Sequence, residues 1–140
     1  PALQNAEFMR YGVMHRNTFI DSPRLLNQDF SMKARPGLFF AGQLTGLEGY
    51  LAAMFSGLLA GLNAVRRCQC RETLVLPRET MMGALSHYIS DESVKDFQPM
   101  GANFGILPPL QEHIRDKRQR YGALAERSLN RIAEIIKSGV

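Results

Sequence analysis

The stretch Gly42-Gln43-Leu44-Thr45-Gly46-Leu47-Glu48-Gly49-Tyr50 holds the residue types best suited to chemistry. Four apolar residues, Leu38-Phe39-Phe40-Ala41, precede it, and a long segment of apolar and small residues follows. This pattern predicts a short strand of the buried, parallel-sheet kind, a glycine-rich turn, and a helix running to about Arg67. A helix that begins at such a turn aims its free amides and the positive end of its dipole into the crevice before it. That is a place for negative charge. The anionic N1/O2 edge of a reduced flavin suits it, and so does a phosphate or a carboxylate. A tight strand-to-helix junction with no ligand fits the same spacing. The chain has no GxGxxG, so it carries nothing to cradle a dinucleotide pyrophosphate.

Other reactive side chains are scattered. His15, Arg16 and Asn17 form a polar cluster that could bind substrate or flavin oxygens, or simply decorate a strand. Cys68 and Cys70 fall at the expected helix end, with no base or cation arranged to activate a thiol, and are expected to be helix-end residues. His87 is expected to be an ordinary surface or core histidine. No His, Cys, Asp or Glu positions show convincing metal spacing, and no residue of the chain is expected to be catalytic. Arg115, Lys117, Arg118 and Arg120 begin a basic tail that could touch an RNA backbone or form the solvated face of an amphipathic helix.

The elements that must position these residues are short. Residues 7–20 mix aromatic, β-branched and polar residues and predict one or two strands. Asp21-Ser22-Pro23 breaks that pattern, residues 24–28 read as turn-like, and 30–33 as a brief strand. Arg35-Pro36-Gly37 reads as a turn. Thr45 and Glu48 have capping-box spacing, and Arg66 and Arg67 suit the far end of the helix that follows. Ser56, Gly57, Ala60, Gly61 and Ala64 make a small-residue face, which implies a close neighbour. Thr80 is placed to cap a short helix bearing Met81, Leu85, Tyr88 and Ile89. Residues 91–110 read as an ordered loop held down by Phe97, Met100, Phe104, Ile106 and Leu107. From about Leu110 a helix is expected, with Tyr121, Leu124, Ala125, Leu129, Ile132, Ile135 and Ile136 on one stripe.

The 140 residues suit one domain, 45% hydrophobic and 21% charged, with a net charge of +4 concentrated in the tail. That balance leans towards anionic partners. Two closely spaced cysteines suit a reducing compartment, and the uncharged run 49–65 is too short and too glycine-rich for a membrane span. No signal peptide is expected, the location is expected to be cytoplasmic with no membrane role, and a start at Pro1 without methionine suggests a piece of a longer protein.

Gly37-Leu38-Phe39-Phe40-Ala41-Gly42-Gln43, Thr45-Gly46, Glu48-Gly49-Tyr50, Gly57-Leu58, Ala60-Gly61 and Asn63-Ala64 resemble the closing FAD-contact motif of two related tRNA-modifying flavoprotein families. One is the folate- and flavin-dependent tRNA (uracil-5-)-methyltransferases; the other modifies wobble uridines. The block 10–20, together with Phe97-Gln98-Pro99-Met100, Asn103-Phe104-Gly105 and Leu107-Pro108-Pro109-Leu110, resembles only the first.

The resemblance covers nearly the whole chain and implies the C-terminal part of a Rossmann-like α/β FAD domain. Residues 1–67 would supply strands and a flavin-facing helix, and 68–140 a loop and a helical tail. It also implies transfer of a carbon from methylenetetrahydrofolate to C5 of a T-loop uridine in tRNA, with FAD as cofactor and NAD(P)H as electron source. By this resemblance Gly42, Gln43, Thr45, Gly46, Gly49 and Tyr50 line the flavin, while His15, Arg16, Asn17, Arg115, Lys117, Arg118 and Arg120 are candidates for substrate contact. The glycine fingerprint and the nucleophilic cysteines of the family would lie upstream, so the 140 residues alone are expected to be inactive. The alternatives are a piece of the wobble-uridine flavoprotein and a non-catalytic RNA-binding module.

Overall fold

In a computed structural model of the chain, residues 4–7 and 18–139 are described. The expected strands over 7–20 lie largely outside those residues. The described residues form a mixed α/β arrangement of four helices, α1 (Ser22–Leu25), α2 (Tyr50–Cys68), α3 (Met81–Tyr88) and α4 (Lys117–Lys137), around two small sheets. β1 (Ser31–Met32) pairs antiparallel with β2 (Arg35–Phe39), and β3 (Leu47–Glu48) pairs parallel with β4 (Met100–Gly101).

The hairpin departs from the expectation in two ways. Its turn is Lys33-Ala34, not Arg35-Pro36-Gly37, and the register runs from Met32↔Arg35 to Ser31↔Phe39 with a bulge between. Pro36 has no amide to donate and Gly37 tolerates the irregular backbone, so a bulged edge strand accepts both. The apolar run is also not a buried parallel strand. Leu38 is exposed, and Phe39 and Phe40 are only half-buried. A continuous apolar run signals cover on both faces; the described residues supply one.

Leu26, Phe30, Leu47, Leu85 and Ile89 are fully buried and tie the hairpin, β3 and α3 into one core. Phe30 adopts φ 68°, a left-handed conformation unusual for an aromatic residue. The surrounding bonds hold it there: its amide donates to the Asn27 carbonyl, and its carbonyl accepts from Phe40. Asn63, buried on α2, donates to the carbonyls of Asp29 (3.2 Å) and Leu74 (2.9 Å) and accepts from the Leu74 amide at 2.6 Å. One side chain thus fastens the helix to the hairpin and to the link after it.

Thr80 caps α3 as expected, accepting from the Gly83 amide at 3.0 Å. Gly83 is needed for close approach: a Cβ there would lie 2.6 Å from the Leu76 carbonyl oxygen and nearer still to that of Pro77. The ordered loop holds β4 and a single 3-10 turn, Phe104–Ile106. The last helix starts at Lys117, later than Leu110, because Asp116 is the residue that caps it, accepting from the Gln119 amide at 2.8 Å. Leu124 is buried against Ala84 and Leu107, and the rings of Tyr121 and Phe104 stack at 4.5 Å. The Arg127 guanidinium donates to the carbonyls of Pro108 (2.5 Å) and Pro109 (3.0 Å), anchoring the helix to the preceding loop.

Candidate functional site

β2 leads through Ala41 into a 3-10 turn, Gly42–Thr45, then through β3 to the N-terminus of α2. Three glycines make this path possible, with φ of 72° at Gly42, 83° at Gly46 and 93° at Gly49, all in the region that disfavours a Cβ. At Gly46 space also forbids one, since it would sit 2.8 Å from Cε1 of Phe97 and closer to Cζ.

Thr45 does not cap α2. It is fully buried four residues before the Gly49 N-cap, and its hydroxyl donates to the Gly42 carbonyl at 2.7 Å, closing the 3-10 turn. Intervening β3 separates it from the helix, so the capping box with Glu48 does not form; Glu48 is exposed. The Thr45 carbonyl accepts from the Ser22 hydroxyl at 2.9 Å, and Gly46 accepts from the Met100 amide at 2.9 Å.

Gly49, the α2 N-cap, has no side chain to satisfy the helix's first amides. The first intrahelical bond of α2 runs from Ala53 to the Gly49 carbonyl at 3.0 Å, so the amides of Tyr50, Leu51 and Ala52 have no intrahelical acceptor. The Gly49–Tyr50 start of the helix borders a hollow of about 430 Å³ lined by Gln43, Gly49, Tyr50 and Ala53. No acidic residue lies in the first turn, so the helix dipole is uncompensated there. A helix end of this kind suits a group carrying negative charge.

The structure therefore brings Gly42, Gln43, Gly49 and Tyr50 to one place, with Thr45 and Gly46 buried behind them as its support. His15, Arg16 and Asn17 lie outside the described residues. Arg115, Lys117, Arg118 and Arg120 gather at the start of α4, the first three exposed. Lys117 and Arg118 occupy the first turn, where a cation opposes the dipole. Lys117 and Arg120 also lie over the Tyr121 ring at 5.6 and 5.8 Å.

Two residues noted for other reasons in the sequence turn out to support the glycine turn. Ser56 accepts from the Gly42 amide at 2.8 Å, and Phe97 packs on Gly46 while touching Phe19 and Tyr88. Neither has a local signature, because each acts across a sequence separation that only folding closes. Cys68 and Cys70 are exposed at and beyond the end of α2. His87 takes part in a polar contact with Gln28 at 2.7 Å and faces Asp91 at 3.8 Å. Asp91 is held below the usual carboxylate range, chiefly by hydrogen bonds from Ser93. Among the described residues no group of three His, Cys, Asp or Glu is placed to hold a metal, and no helix is long and apolar enough to cross a membrane.

Known proteins share this sequence. The chain is 54% identical over 138 residues to a methylenetetrahydrofolate–tRNA-(uracil-5-)-methyltransferase TrmFO of Enterococcus faecalis, covering 99% of the chain and 32% of the relative. Proteins of the same name from Halalkalibacterium halodurans (54% over 137 residues, 98% and 32%) and Lactiplantibacillus plantarum (56% over 129 residues, 92% and 29%) match in the same way. The chain thus spans about a third of the length of these curated relatives. The glycine turn and the whole of α2 fall inside residues 1–72, the span matched by the family model for glucose inhibited division protein A; that span is more than half of the chain, which belongs to this family.

Proposed function

We propose that this chain is the flavin-facing part of a folate- and FAD-dependent tRNA (uracil-5-)-methyltransferase. The observation that carries the reading is the uncapped N-terminus of α2, opening on the hollow beside Gln43, Gly49 and Tyr50. Names borne by relatives at 53–56% identity, all methylenetetrahydrofolate–tRNA-(uracil-5-)-methyltransferases, favour it over a wobble-uridine enzyme or a stand-alone RNA-binding module.

The fit to a flavin rests on this chain's own geometry. Gly49 leaves room for a ring to approach the helix end, and the amides of Tyr50, Leu51 and Ala52 aim at whatever edge sits there. Their dipole favours the anionic form over the neutral one. Gln43 offers an amide side chain to a polar ring edge. Gly42 and Gly46 hold the turn in place through Ser56 and Met100. FAD, when bound, supplies the electrons that reduce the transferred carbon to a methyl group, with methylenetetrahydrofolate and NAD(P)H as co-substrates of the complete enzyme.

The tRNA belongs at the start of α4. Lys117 and Arg118 cost helix stability where they stand, and with Arg115 and Arg120 they form a cationic patch suited to phosphates. His15, Arg16 and Asn17 are further candidates for substrate contact. The enzyme is placed in the cytoplasm, with its tRNA.

The test is a graft of this chain in place of the matching third of the Enterococcus faecalis relative. The graft is expected to retain FAD through purification and to methylate C5 of a T-loop uridine. Gly49→Val in the graft should reduce FAD retention. A graft as thermally stable as the relative that holds no FAD would overturn the flavin reading.

A further inference from the structure

The face of α2 that points away from the core is apolar from one end to the other. Leu51, Met54, Phe55, Leu58, Leu62 and Val65 follow steps of three and four residues, and all are exposed, Leu51 by 83%, Met54 by 72% and Leu58 by 63%. The opposite face, with Ala52, Ser56, Leu59, Ala60 and Asn63, is already buried. The only charged residues of the helix are Arg66 and Arg67, in its last turn. A helix that is apolar all round is one with neighbours on both sides. Six large apolar side chains in a row also exceed what a monomer ordinarily leaves bare.

Gly57 and Gly61 border the stripe, and a Cβ at either would meet nothing within 4 Å. Glycine weakens a helix, and two of them one turn apart bring no packing among the described residues. They would let a second backbone come close. The stripe continues to a hollow of about 530 Å³ lined by Glu48, Gly49, Tyr50, Leu51, Ala52, Gly101 and Ala102. Whatever covers the stripe therefore also walls the N-terminus of α2.

The occupant is set by length and by chemistry. Nearly the whole chain matches about a third of these relatives, and the other two-thirds of their length lie outside the match. A membrane surface is disfavoured, because a helix lying on lipid needs a charged face and α2 has none. We propose that the outer face of α2 receives an apolar layer formed by the polypeptide that these relatives carry outside the matched third. That layer seats on Leu51, Met54, Leu58 and Val65 and completes the hollow at Gly49 and Tyr50. This inference needs only the apolar face and the relatives' length, and stands apart from the enzymatic reading.

Peroxide oxidation of Met54, followed by peptide mass spectrometry, tests it in the isolated chain and in the graft described above. Met82, nine-tenths buried in the core, reports that each protein is folded. Met54 should oxidise about tenfold more slowly in the graft, with Met82 protected in both. Equal, fast oxidation of Met54 in both would overturn the proposal. So would protection in the isolated chain that grows with its concentration, which would assign the face to a second copy.

A second arm needs no graft. An aspartate placed in the whole Enterococcus faecalis relative at the position aligned with Leu58 should lower its Tm by several degrees. At the position aligned with exposed Leu129 it should leave Tm unchanged. Indifference at both positions would overturn the interface. A graft that protects Met54 but methylates no tRNA would uphold the interface while refuting the enzymatic reading.

Discussion

The Ser56 hydroxyl accepts the Gly42 amide hydrogen at 2.8 Å and donates its own to the Ala53 carbonyl at 2.7 Å. One side chain in the second turn of α2 thereby holds the start of the glycine turn against the helix that follows it. Ser56→Ala leaves that amide without a partner in a partly buried setting and should cost about 1–3 kcal/mol. Urea unfolding of the variant checks this. A loss below a few tenths would mean that water replaces the hydroxyl freely.

Gly46 is constrained twice, by its φ of 83° and by the Phe97 ring. Gly46→Ala should cost about 1–2 kcal/mol for the left-handed backbone and about 1–3 kcal/mol for the clash. A double-mutant cycle with Phe97→Leu separates the two. In the leucine background the glycine substitution should cost less. An unchanged cost would leave the backbone as the whole cause.

The two threonines at turns differ in role. Thr80→Ala removes a true cap from α3 and should cost about 1 kcal/mol, as should Asp116→Ala at α4. Thr45→Ala removes the bond to the Gly42 carbonyl and a buried methyl group, so about 1–3 kcal/mol is expected, with the helical circular dichroism signal unchanged. A fall in helix content on Thr45→Ala would contradict the observed N-cap at Gly49.

If the start of α4 binds RNA, replacing Arg115, Lys117, Arg118 and Arg120 together by alanine should flatten the salt dependence of tRNA affinity. Each lost phosphate contact removes about one unit of log–log slope. The same variant should be no less stable, because Lys117 and Arg118 oppose the helix dipole. Unchanged affinity and slope in the graft would leave α4 a purely structural helix.

Lys33 donates to Glu92 at 2.5 Å, and this hydrogen bond holds the Glu92 carboxyl below the usual glutamate range. A depressed carboxylate stabilises the folded chain above its unfolded pKa and loses that contribution as pH falls through the folded value. Glu92 is largely exposed, so the effect on stability is small. Carbon-detected titration should find Glu92 below an ordinary glutamate, and Lys33→Met should return it. An unmoved midpoint in Lys33→Met would remove lysine as the cause.

Local pattern was enough for much of this protein. The hydroxyl of Thr80 before a face of Met81, Leu85, Tyr88 and Ile89 announces α3, and the long apolar and small segment ending in Arg66 and Arg67 announces α2, because capping and helical period act within a few residues. Glycines 42, 46 and 49 were visible as the place where a helix end meets a crevice. What needed the tertiary structure is what crosses distance. Thr45 and Glu48 have capping spacing, yet the parallel pairing of Leu47 with Met100 and Glu48 with Gly101 draws Glu48 into β3, leaves Thr45 in the 3-10 turn before it, and passes the cap to Gly49. A partner some fifty residues away outweighs a local bond, because β3 must satisfy its own backbone groups. Leu38 to Ala41 carries the pattern of a strand covered on both sides, but the described residues cover one. A sequence encodes the burial its residues are suited to, and only the packed structure shows which of that burial this chain supplies for itself.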